Sequence, residues 1–578
     1  MSTRRRVLLR LTLALSSFPL AAQGSSAADL TVRLYSTRTL ASLTIVPINA
    51  TLQRCVNCAR TLVPPRLDLR TASPGAGLLA NGAPAPTLFL EGQLRVLVNG
   101  APPTVAAGHW KISAEPDGLH VLLTLPSERY VMAVLTSEAA PDEPTESLKA
   151  LAVAARSFGL TNPYRHGLEG LCDSTHCQAL RLDTPSNRVR EAVLVTAGET
   201  LWHGAQQVPA YFTQDCGGAT EDAATLWGGA PKPWLISHPD SWCQRQPAHW
   251  HADIRLPDLR RSLAAEGFQL ASTLTSARIL SRDRSGRAAQ IELTGPTQPR
   301  VMSAATFRFA VNRSLGWNTL RSDLYNLTPT SAGLAFDGKG FGHGVGLCQA
   351  GAAQMARQGS TYREILSFYF PQTEARITSG DLGWHTYPGQ SFTLRATAPA
   401  PAFGLAADEA FARARILFPP HTLVSPTVTL YPTTELFRQG TGQPGWALAS
   451  TEGSRIAIQP LPVILRQTTL SPLLLHEFLH ALIEQEAAPT TPLWFREGLV
   501  EALTGNRASQ PPAASMMPLA EAEAALHHAN SLAEGQRAHR AAGFAVQQII
   551  AAHGLPAVRG WLNSGIPSAL DPSLHPPQ

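Results

Sequence analysis

Apolar and polar residues alternate along several short stretches of the N-terminal hundred residues, which is the pattern of half-buried strands. The stretches Leu30–Leu34, Leu94–Val98 and Leu119–Leu125 show this alternation, and Asn99-Gly100 follows the second of them. Asn-Gly is a tight-turn dipeptide that favours antiparallel pairing. We therefore expect antiparallel β structure over residues 29–124.

A helical pattern follows this β-rich region. Residues 147–161 are rich in Ala and Leu, and they come after Asp142, Pro144 and Thr145, which are typical of helix starts. The short apolar run Tyr130–Leu135 just before them is interpreted as a strand. Mixed strand and loop structure is expected further on.

A glycine-rich segment, Gly338–Gln349, precedes a second helix that we predict over residues 350–357. Its glycine spacing does not fit a loop that binds phosphate or a dinucleotide, so a nucleotide ligand is not expected. Residues 381–405 are rich in Pro, Ala and Gly and are predicted to form a linker. A helix over 406–417, short strands and a helical end then indicate a separate domain at 406–578.

The predicted fold class is therefore α+β and multidomain, with a mixed domain over residues 125–380 between the β-rich region and the linker. A chain of 578 residues with 15% charged residues and a formal charge of +5 fits several soluble domains. The charge is small for this length, and no basic stripe with interleaved aromatic residues is present. No nucleic-acid partner is expected.

The N-terminus has the composition of an export signal. Arg4–Arg6 form a basic region, Val7–Leu20 an apolar core, and the small residues of Ala21–Ala28 offer cleavage sites. Residues 1–28 are thus predicted to be a signal peptide of the Sec type or, because Thr3-Arg4-Arg5 resembles it, the twin-arginine type. A membrane anchor is the alternative, although the apolar run is shorter than a bilayer span.

Seven cysteines are present, so in an exported protein at least one is unpaired or binds a metal. We suspect disulfides between Cys55 and Cys58 and between Cys216 and Cys243. The second pair flanks three tryptophans, which either stack on sugars or belong to the core.

The most distinctive motif is His476-Glu477-Phe478-Leu479-His480, followed by Glu497 seventeen residues later. Two histidines four residues apart on a helix lie about 40° apart around its axis, so both can bind one ion. With Glu497 they make three protein ligands and leave one position open, as in a catalytic zinc site. Glu477 would be the general base. A chance match on an ordinary helix is the alternative.

A second cluster combines His166, Cys172, His176 and Cys177 within twelve residues. Two thiolates and two imidazoles form a closed tetrahedral zinc site of the structural type. The alternative is a Cys172–Cys177 disulfide with two incidental histidines.

The region around this cluster resembles the SpoIID/LytB domain. The motifs that carry the resemblance occur in family order: Tyr130–Glu138, Glu146–Phe158, Cys172–Gln178, Cys216–Glu221 and Gly342–Ala352. Characterised members are lytic transglycosylases, which cut peptidoglycan glycan strands stripped of stem peptides, and others are named amidase enhancers. The resemblance implies that Glu138 is the catalytic residue and that His166, Cys172, His176 and Cys177 bind zinc.

A single carboxyl with a raised pKa suits glycan cleavage without hydrolysis. It would protonate the leaving oxygen and later remove the proton of the sugar 6-hydroxyl. Glu138 is the candidate for both steps, unless it merely belongs to the turn that leads into the next helix. His343 and Gln349, on the glycine-rich segment, are candidate glycan-binding residues or else part of a tight packing turn.

The C-terminal motif, with Pro489, Pro492 and Trp494–Glu501, resembles the gluzincin metallopeptidases of the peptidase MA-like group. The resemblance implies a catalytic zinc held by His476, His480 and Glu497. Three histidines are candidates for stabilising the oxyanion: His527, His528 and His539.

We therefore expect an exported, wall-associated protein, periplasmic or extracellular, with a glycan-cleaving domain and a zinc peptidase-like domain. The expected cofactors are one structural and one catalytic zinc ion. The expected partners are peptidoglycan glycan strands and an unidentified peptide. One alternative is an amidase enhancer that grips the wall and assists a wall amidase without cutting, and another is mainly a zinc peptidase anchored to the wall.

Overall fold

The computed structural model has helices and strands along the whole described chain, as expected for an α+β protein. It describes residues 29–53, 60–72, 77–268, 274–296, 298–378, 380–422, 425–505, 517–529 and 531–570. The predicted signal peptide and the Cys55–Cys58 pair lie outside these residues. No single helix among them has the length and apolar character to cross a bilayer, although the bent pair Leu532–His553 and Leu555–Ser564 meets both criteria jointly.

The N-terminal part is built on one ten-stranded sheet. These are β1 Asp29–Leu34, β2 Ser42–Gln53, β3 Thr61–Leu62, β4 Leu67–Thr71, β5 Leu78–Ala80, β6 Ala83–Ala85, β7 Leu88–Leu97, β8 Thr104–Glu115, β9 Gly118–Pro126 and β10 Leu171–Cys172. They lie in the order β10-β1-β9-β8-β7-β2-β4-β5-β6, with β3 on β2. Every pair within residues 29–124 is antiparallel, so that prediction is confirmed. The short strand β10 pairs with β1 in parallel and brings Cys172 to the sheet edge.

Three helices share the hydrophobic core of this sheet: α1 Ser127–Glu138, α2 Thr145–Thr161 and α3 Asn187–Val195. The predicted helix over 147–161 is confirmed by α2. The interpretation of Tyr130–Leu135 as a strand is wrong, because these residues lie in α1. A run of six apolar residues has no period that separates a helix from a strand, and burial in the core decides the outcome here.

A buried ion pair joins α1 to α2. The guanidinium of Arg156 donates to both carboxylate oxygens of Glu128, at 2.9 and 2.5 Å, and to the carbonyl of Glu199 at 2.9 Å. The Arg156 side chain is fully buried, and Glu128 nearly so. Because each charge is compensated only by the other and by backbone groups, the pair fixes how α1 lies on α2.

The middle part adds short strands and five described helices. The strands are β11 Thr200–His203, β12 Gln206–Gln207, β13 Phe212–Thr213, β14 His249–Arg255, β15 Ser276–Arg282, β16 Ala288–Thr294, β17 Arg300–Ser303, β18 Tyr325–Pro329, β19 Gly333–Lys339, β20 Leu347–Cys348 and β21 Glu374–Arg376. The helices are α4 Ala223–Trp227, α5 Leu256–Ala265, α6 Ala304–Leu315, α7 Gln349–Arg357 and α8 Tyr362–Tyr369. The predicted helix over 350–357 is confirmed by α7.

Strands β14 to β19, with α5 and α6, form a unit with its own core around Leu259, Phe307 and Phe336. Strands β13 and β20, on either side of this unit in the chain, pair in parallel with each other. The unit is therefore an insertion that leaves and re-enters the larger core at neighbouring strands.

The C-terminal part is a sheet in the order β22-β23-β24-β26-β25 with helices packed on it. Its strands are β22 His385–Pro388, β23 Thr393–Ala396, β24 Thr427–Leu430, β25 Ala449–Glu452 and β26 Arg455–Ile458. Its helices are α9 Pro401–Leu417, α10 Thr434–Thr441, α11 Leu461–Ile464, α12 Leu470–Ile483, α13 Leu493–Thr504, α14 Leu519–His528, α15 Leu532–His553 and α16 Leu555–Ser564. Three single-turn 3₁₀ helices complete the described structure: Gly167–Glu169, Cys243–Arg245 and Ser568–Leu570.

The residues predicted as a linker, 381–405, differ from that expectation. They contain β22, β23 and the first turn of α9, and the two strands pair into the C-terminal sheet. Pro401 contributes to the linker-like composition of this segment. In the structure it is the first residue of α9, where its missing N–H costs nothing. A small cluster that includes Trp384 and Tyr431 packs this part against Ala197 of the N-terminal part.

Candidate functional sites

Glu138 is the last residue of α1 and is partly buried. Its Oε1 accepts a hydrogen bond of 2.9 Å from the backbone N–H of Ala179. Burial raises the pKa of the Glu138 carboxyl, and the single N–H donor opposes this only in part. Within the described residues, no Lys, Arg or His side chain lies within ion-pair distance of it. The surroundings therefore favour a carboxyl that keeps its proton, as a general acid must.

Two hydrogen bonds position the segments that surround Glu138. Gln349, the first residue of α7, donates from its side-chain nitrogen to the Glu138 carbonyl at 3.0 Å. The Tyr130 hydroxyl donates to the side-chain oxygen of Gln178 at 2.7 Å and so fixes the segment that carries Ala179. The structure thus brings Gln349 to Glu138, a contact that the sequence did not predict, and the amide nitrogen of Gln349 is engaged with the backbone. Glycan binding by Gln349 stays a prediction.

His343 lies on the glycine-rich segment, with its ring edge-on to Trp227 at a centroid distance of 5.2 Å. Its Nδ1 accepts the backbone N–H of Val345 at 3.0 Å. Burial, with the nearby charges of Arg308 and Arg287, lowers the pKa of His343 to about 3. The imidazole is therefore neutral, and Nδ1 is used within the chain. Glycan binding by His343 stays a prediction.

The positive backbone φ angles of Gly342 and Gly344 explain the glycines beside His343. A Cβ on Gly344 would lie 2.3 Å from the Arg287 guanidinium, and one on Gly342 would lie 2.3 Å from the Thr213 hydroxyl. The glycine-rich segment is therefore a close-packed turn, which was the alternative to a glycan-binding segment.

The four predicted zinc ligands near Glu138 do converge. One ligand atom each from His166, Cys172, His176 and Cys177 lies within 4.8 Å of all the others. Cys172 Sγ lies 3.0 Å from Cys177 Sγ, and both cysteines are free thiols. The structure therefore does not contain the Cys172–Cys177 disulfide that was the alternative prediction. The contact with Cys177 lowers the pKa of Cys172 to about 3. The donor set fits a closed zinc site.

The suspected Cys216–Cys243 disulfide is wrong in this structure, where both residues are free thiols. A third cysteine, Cys348, joins them instead, together with Asp240. Sequence reasoning missed this group because Cys348 lies more than a hundred residues beyond the first two, and only the β13–β20 pairing brings it back.

The C-terminal motif also assembles as its spacing predicts. His476 and His480 lie one turn apart on α12, with their Nε2 atoms 3.1 Å apart. Glu497, on α13, has its Oε2 3.2 Å from His480 Nε2. That oxygen is buried and has no hydrogen bond of normal geometry. These three residues fit a divalent metal, because each offers an atom to the same small volume.

Two further residues border this cluster. His539, on α15, has Nδ1 3.3 Å from Glu497 Oε2 and 3.6 Å from Glu501 Oε1. Thr451, on the edge strand β25, donates to Glu477 Oε2 at 2.7 Å. Of the three histidines predicted as candidates for stabilising the oxyanion, His539 lies beside the predicted ligands, where it faces the carboxylates of Glu497 and Glu501. No motif marks either residue, since both come from elements far away in sequence.

Electrostatics around the C-terminal cluster favour a bound cation. Burial opposes charge on His480, but Glu497 outweighs it and raises the pKa of His480 to about 9. Burial lowers the pKa of His476. The carboxylates of Glu497 and Glu501 lie beside these histidines, at 3.2 Å from His480 and 3.8 Å from His476, so a cation here would be balanced by two negative charges.

Several known proteins each match somewhat less than half of the chain. Residues 115–203 match the family model of the Stage II sporulation protein SpoIID, and residues 244–346 match a domain of unknown function that corresponds to the inserted unit. An uncharacterized protein of Brachyspira hyodysenteriae is 30% identical over 259 residues, which cover 44% of this chain and 67% of the relative. The Stage II sporulation protein D of Bacillus amyloliquefaciens is 28% identical over 290 residues, 47% of this chain and 80% of the relative. The amidase enhancer of Bacillus subtilis is 26% identical over 275 residues, 39% of this chain and 37% of the relative.

Proposed function

We propose that this chain, which belongs to the SpoIID family through its N-terminal part, cleaves the glycan strands of peptidoglycan, with Glu138 as both acid and base. Relatives named as sporulation proteins and as an amidase enhancer support a role at the cell wall. Such a role would place the protein outside the cytoplasm, with peptidoglycan as its partner.

The observation that carries this proposal is the setting of Glu138. Its carboxyl is partly buried, has a pKa raised by that burial, and accepts one hydrogen bond from the backbone N–H of Ala179. The Gln349 side chain donates to the backbone carbonyl of Glu138. A carboxyl with a function in folding alone would normally be paired with a cation when buried, as Glu128 is.

The proposed reaction needs no second carboxyl. The protonated Glu138 gives its proton to the glycosidic oxygen as the bond from that oxygen to C1 breaks. The resulting carboxylate then takes the proton of the 6-hydroxyl of the same sugar, whose oxygen forms a bond to C1. The products are a free 4-hydroxyl and a 1,6-anhydro sugar, and Glu138 ends protonated as it began.

Purified chain incubated with denuded glycan strands tests this proposal. We expect anhydro-muramyl ends by mass spectrometry with the wild type and their loss with Glu138→Gln. Asp142→Asn is the matched control, because Asp142 lies four residues further on and its side chain is 83% exposed. No anhydro products from the wild type under any condition, with wall binding retained, would instead favour the amidase-enhancer alternative and its wall amidase partner.

The C-terminal cluster favours a second candidate function, peptide hydrolysis. A divalent metal held by His476, His480 and Glu497 would polarise a peptide carbonyl and activate water. Glu477 would accept a proton; its burial between the two histidines in the helix and the hydrogen bond of its Oε2 with Thr451 support this role. Strand β25, which carries Thr451, pairs with only one described strand, so an extended peptide could add to its other side.

Cleavage of casein, inhibited by a chelator and restored by zinc, tests the second function. We expect loss of cleavage in Glu477→Gln with the metal content unchanged. Glu452→Gln is the matched control, because this carboxylate lies on the same strand as Thr451 and is 86% exposed. Retained cleavage in Glu477→Gln would remove this residue from the mechanism.

The zinc ions belong to the same proposal. His166, Cys172, His176 and Cys177 would hold one as a closed site that fixes the loop behind Glu138, and His476, His480 and Glu497 would hold the other. Metal analysis of the wild type beside Cys177→Ser and His480→Ala tests both sites, since each variant should lack one zinc.

A further inference from the structure

Three cysteines outside both predicted metal sites converge in the hydrophobic core that the middle part shares with the N-terminal sheet. Cys216 follows β13, Cys243 begins the 3₁₀ turn Cys243–Arg245, and Cys348 ends β20. Together with Asp240, each offers one atom within 4.8 Å of all the others. We call these four residues the Cys₃Asp cluster. Every member is buried, with at most 2% of its surface exposed.

Within the Cys₃Asp cluster, the carboxylate of Asp240 gives the strongest evidence for a bound cation. Its Oδ1 accepts the backbone N–H groups of Trp242 and Cys243, both at 3.0 Å, and its Oδ2 accepts the Tyr369 hydroxyl at 2.8 Å. Oδ2 also lies 3.2 Å from Cys216 Sγ. No Lys, Arg or His side chain of the described chain lies within ion-pair distance of Asp240. These contacts bring no positive charge to the buried carboxylate, so a bound cation would complete its surroundings.

Two backbone features beside the sulfur atoms would stabilise thiolates when a cation is bound. The N–H of Cys216 points to Cys348 Sγ at 3.2 Å, and Cys348 is the residue at the N-terminus of α7. N–H donors and a helix N-terminus both stabilise negative charge on sulfur. Asp215, itself buried, lies 3.2 Å from Cys243 Sγ through Oδ1 and orients that side chain.

A disulfide is the competing use of these cysteines. It would join two of the three sulfurs, leave the third as a buried thiol, and bring no positive charge to Asp240. A divalent metal satisfies all four groups at once, and three thiolates with one carboxylate are soft-to-borderline ligands that suit zinc. The donor set therefore fits a metal better than it fits a disulfide.

We propose that Cys216, Asp240, Cys243 and Cys348 form a closed, structural zinc site, in addition to the two sites predicted from the sequence. The proposal does not depend on the enzymatic activity of either domain.

The position of the Cys₃Asp cluster gives it a second consequence. Cys348 is directly followed by Gln349, whose side chain holds the carbonyl of Glu138. A metal at the cluster would therefore anchor the start of α7 to the loop of Cys216, and through Gln349 it would help to place Glu138. The cluster residues would be positioning residues, not catalytic ones.

Zinc per chain, measured by inductively coupled plasma mass spectrometry on the dialysed full-length protein, is the first test. Cys348→Ser should contain one zinc fewer than the wild type, and Cys172→Ser should also contain one fewer. The double variant should contain two fewer, because the sites are separate. An unchanged zinc content in Cys348→Ser would overturn the proposal.

A second test needs no variant of the cluster and so does not depend on whether Cys348→Ser folds. The double variant Cys172→Ser, His480→Ala removes one ligand from each of the other two sites. Loaded with cobalt, it should still show thiolate-to-cobalt charge-transfer absorption and the strong visible bands of tetrahedral cobalt. Absence of these bands would count against the site.

Non-reducing peptide mapping of the wild-type protein completes the test. Chymotrypsin cuts at Trp227 and Trp234, between Cys216 and Cys243, so a linked pair would be detected as a joined peptide. We expect all three cysteines of the cluster as free thiols after zinc removal. A disulfide between any two of them in the protein as isolated would overturn the proposal.

Discussion

The ligand clusters at His166 and at His476 use similar residue types but are built in opposite ways. The N-terminal cluster takes all four ligands from one short segment, residues 166–177, which contains little regular structure. The C-terminal cluster takes its three ligands from α12 and α13, whose apolar faces are already packed in a core. A cluster on a loop needs its metal to hold a shape, whereas a cluster on packed helices has its shape before the metal binds.

This difference agrees with the chemistry that each ligand set allows. Four protein ligands close a tetrahedral site and leave nothing for a substrate, while three leave one position open. The closed set thus suits a structural role behind Glu138, and the open set suits catalysis next to Glu477. The difference also makes the two regions separable by experiment.

The largest expected effect is on stability when a ligand is removed from each cluster in turn. Structural zinc can supply about 10 kcal/mol of folding free energy where the site is otherwise unordered. We expect Cys177→Ser to lower the thermal unfolding temperature of the N-terminal part strongly and His480→Ala to lower that of the C-terminal part much less. Differential scanning calorimetry with and without a chelator measures both. Equal losses would contradict the contrast between loop and helices.

The next prediction compares buried and exposed charge in the two parts. Arg156→Met leaves Glu128 as an unpaired buried carboxylate, and breaking such a pair costs about 3–5 kcal/mol. Arg438→Met is the matched change in the C-terminal part, where the Arg438 side chain is 55% exposed and its pair with Glu435 should contribute less than about 1 kcal/mol. Urea unfolding measures both values. A small effect of Arg156→Met would mean that the pair does not hold α1 on α2.

The two clusters also show which parts of a site can be predicted from a sequence pattern. The motif at His476 and the group at His166 were predictable because their ligands are close in sequence and their spacing has a geometric meaning. The contacts of His539 and Thr451 with this cluster could not be predicted, because each residue lies on a different element that only the fold brings near the motif. Asp240 and Cys348 were missed for the same reason.

The elements of the fold follow the same rule. Antiparallel pairing over residues 29–124 was predictable from alternation and one Asn-Gly turn, and α2 from its Ala/Leu composition. The strand predicted at Tyr130–Leu135 was wrong because burial on most sides removes the polar positions that reveal a helical period. The strands within 381–405 were hidden by a Pro/Ala-rich composition that also fits a linker.

A finer test of the open site concerns the residue that positions Glu477. Thr451→Val keeps the shape of the side chain but removes the hydrogen bond to Glu477 Oε2. One such bond is worth about 1 kcal/mol, so we expect roughly a fivefold lower kcat for peptide cleavage, with unchanged KM and zinc content. Thr441→Val is the control, because the Thr441 hydroxyl donates to a helix carbonyl away from the cluster. An unchanged kcat would show that Glu477 does not depend on strand β25.

The smallest expected effect separates Glu138 from the metal clusters by pH. Burial raises the folded-state pKa of Glu138 above its unfolded value, so the protonated carboxyl stabilises the fold at low pH. That contribution is fully present below the unfolded pKa and is lost as pH rises through the folded pKa, where the carboxyl also ceases to be a proton donor. Glycan cleavage should therefore decline on the alkaline side, and Glu138→Gln should be slightly more stable than the wild type at neutral pH. Stability curves of the two proteins between pH 4 and pH 8, about the range in which a buried carboxyl titrates, should converge towards low pH. Curves that stay parallel would mean that Glu138 is not held in the buried setting that makes it an acid.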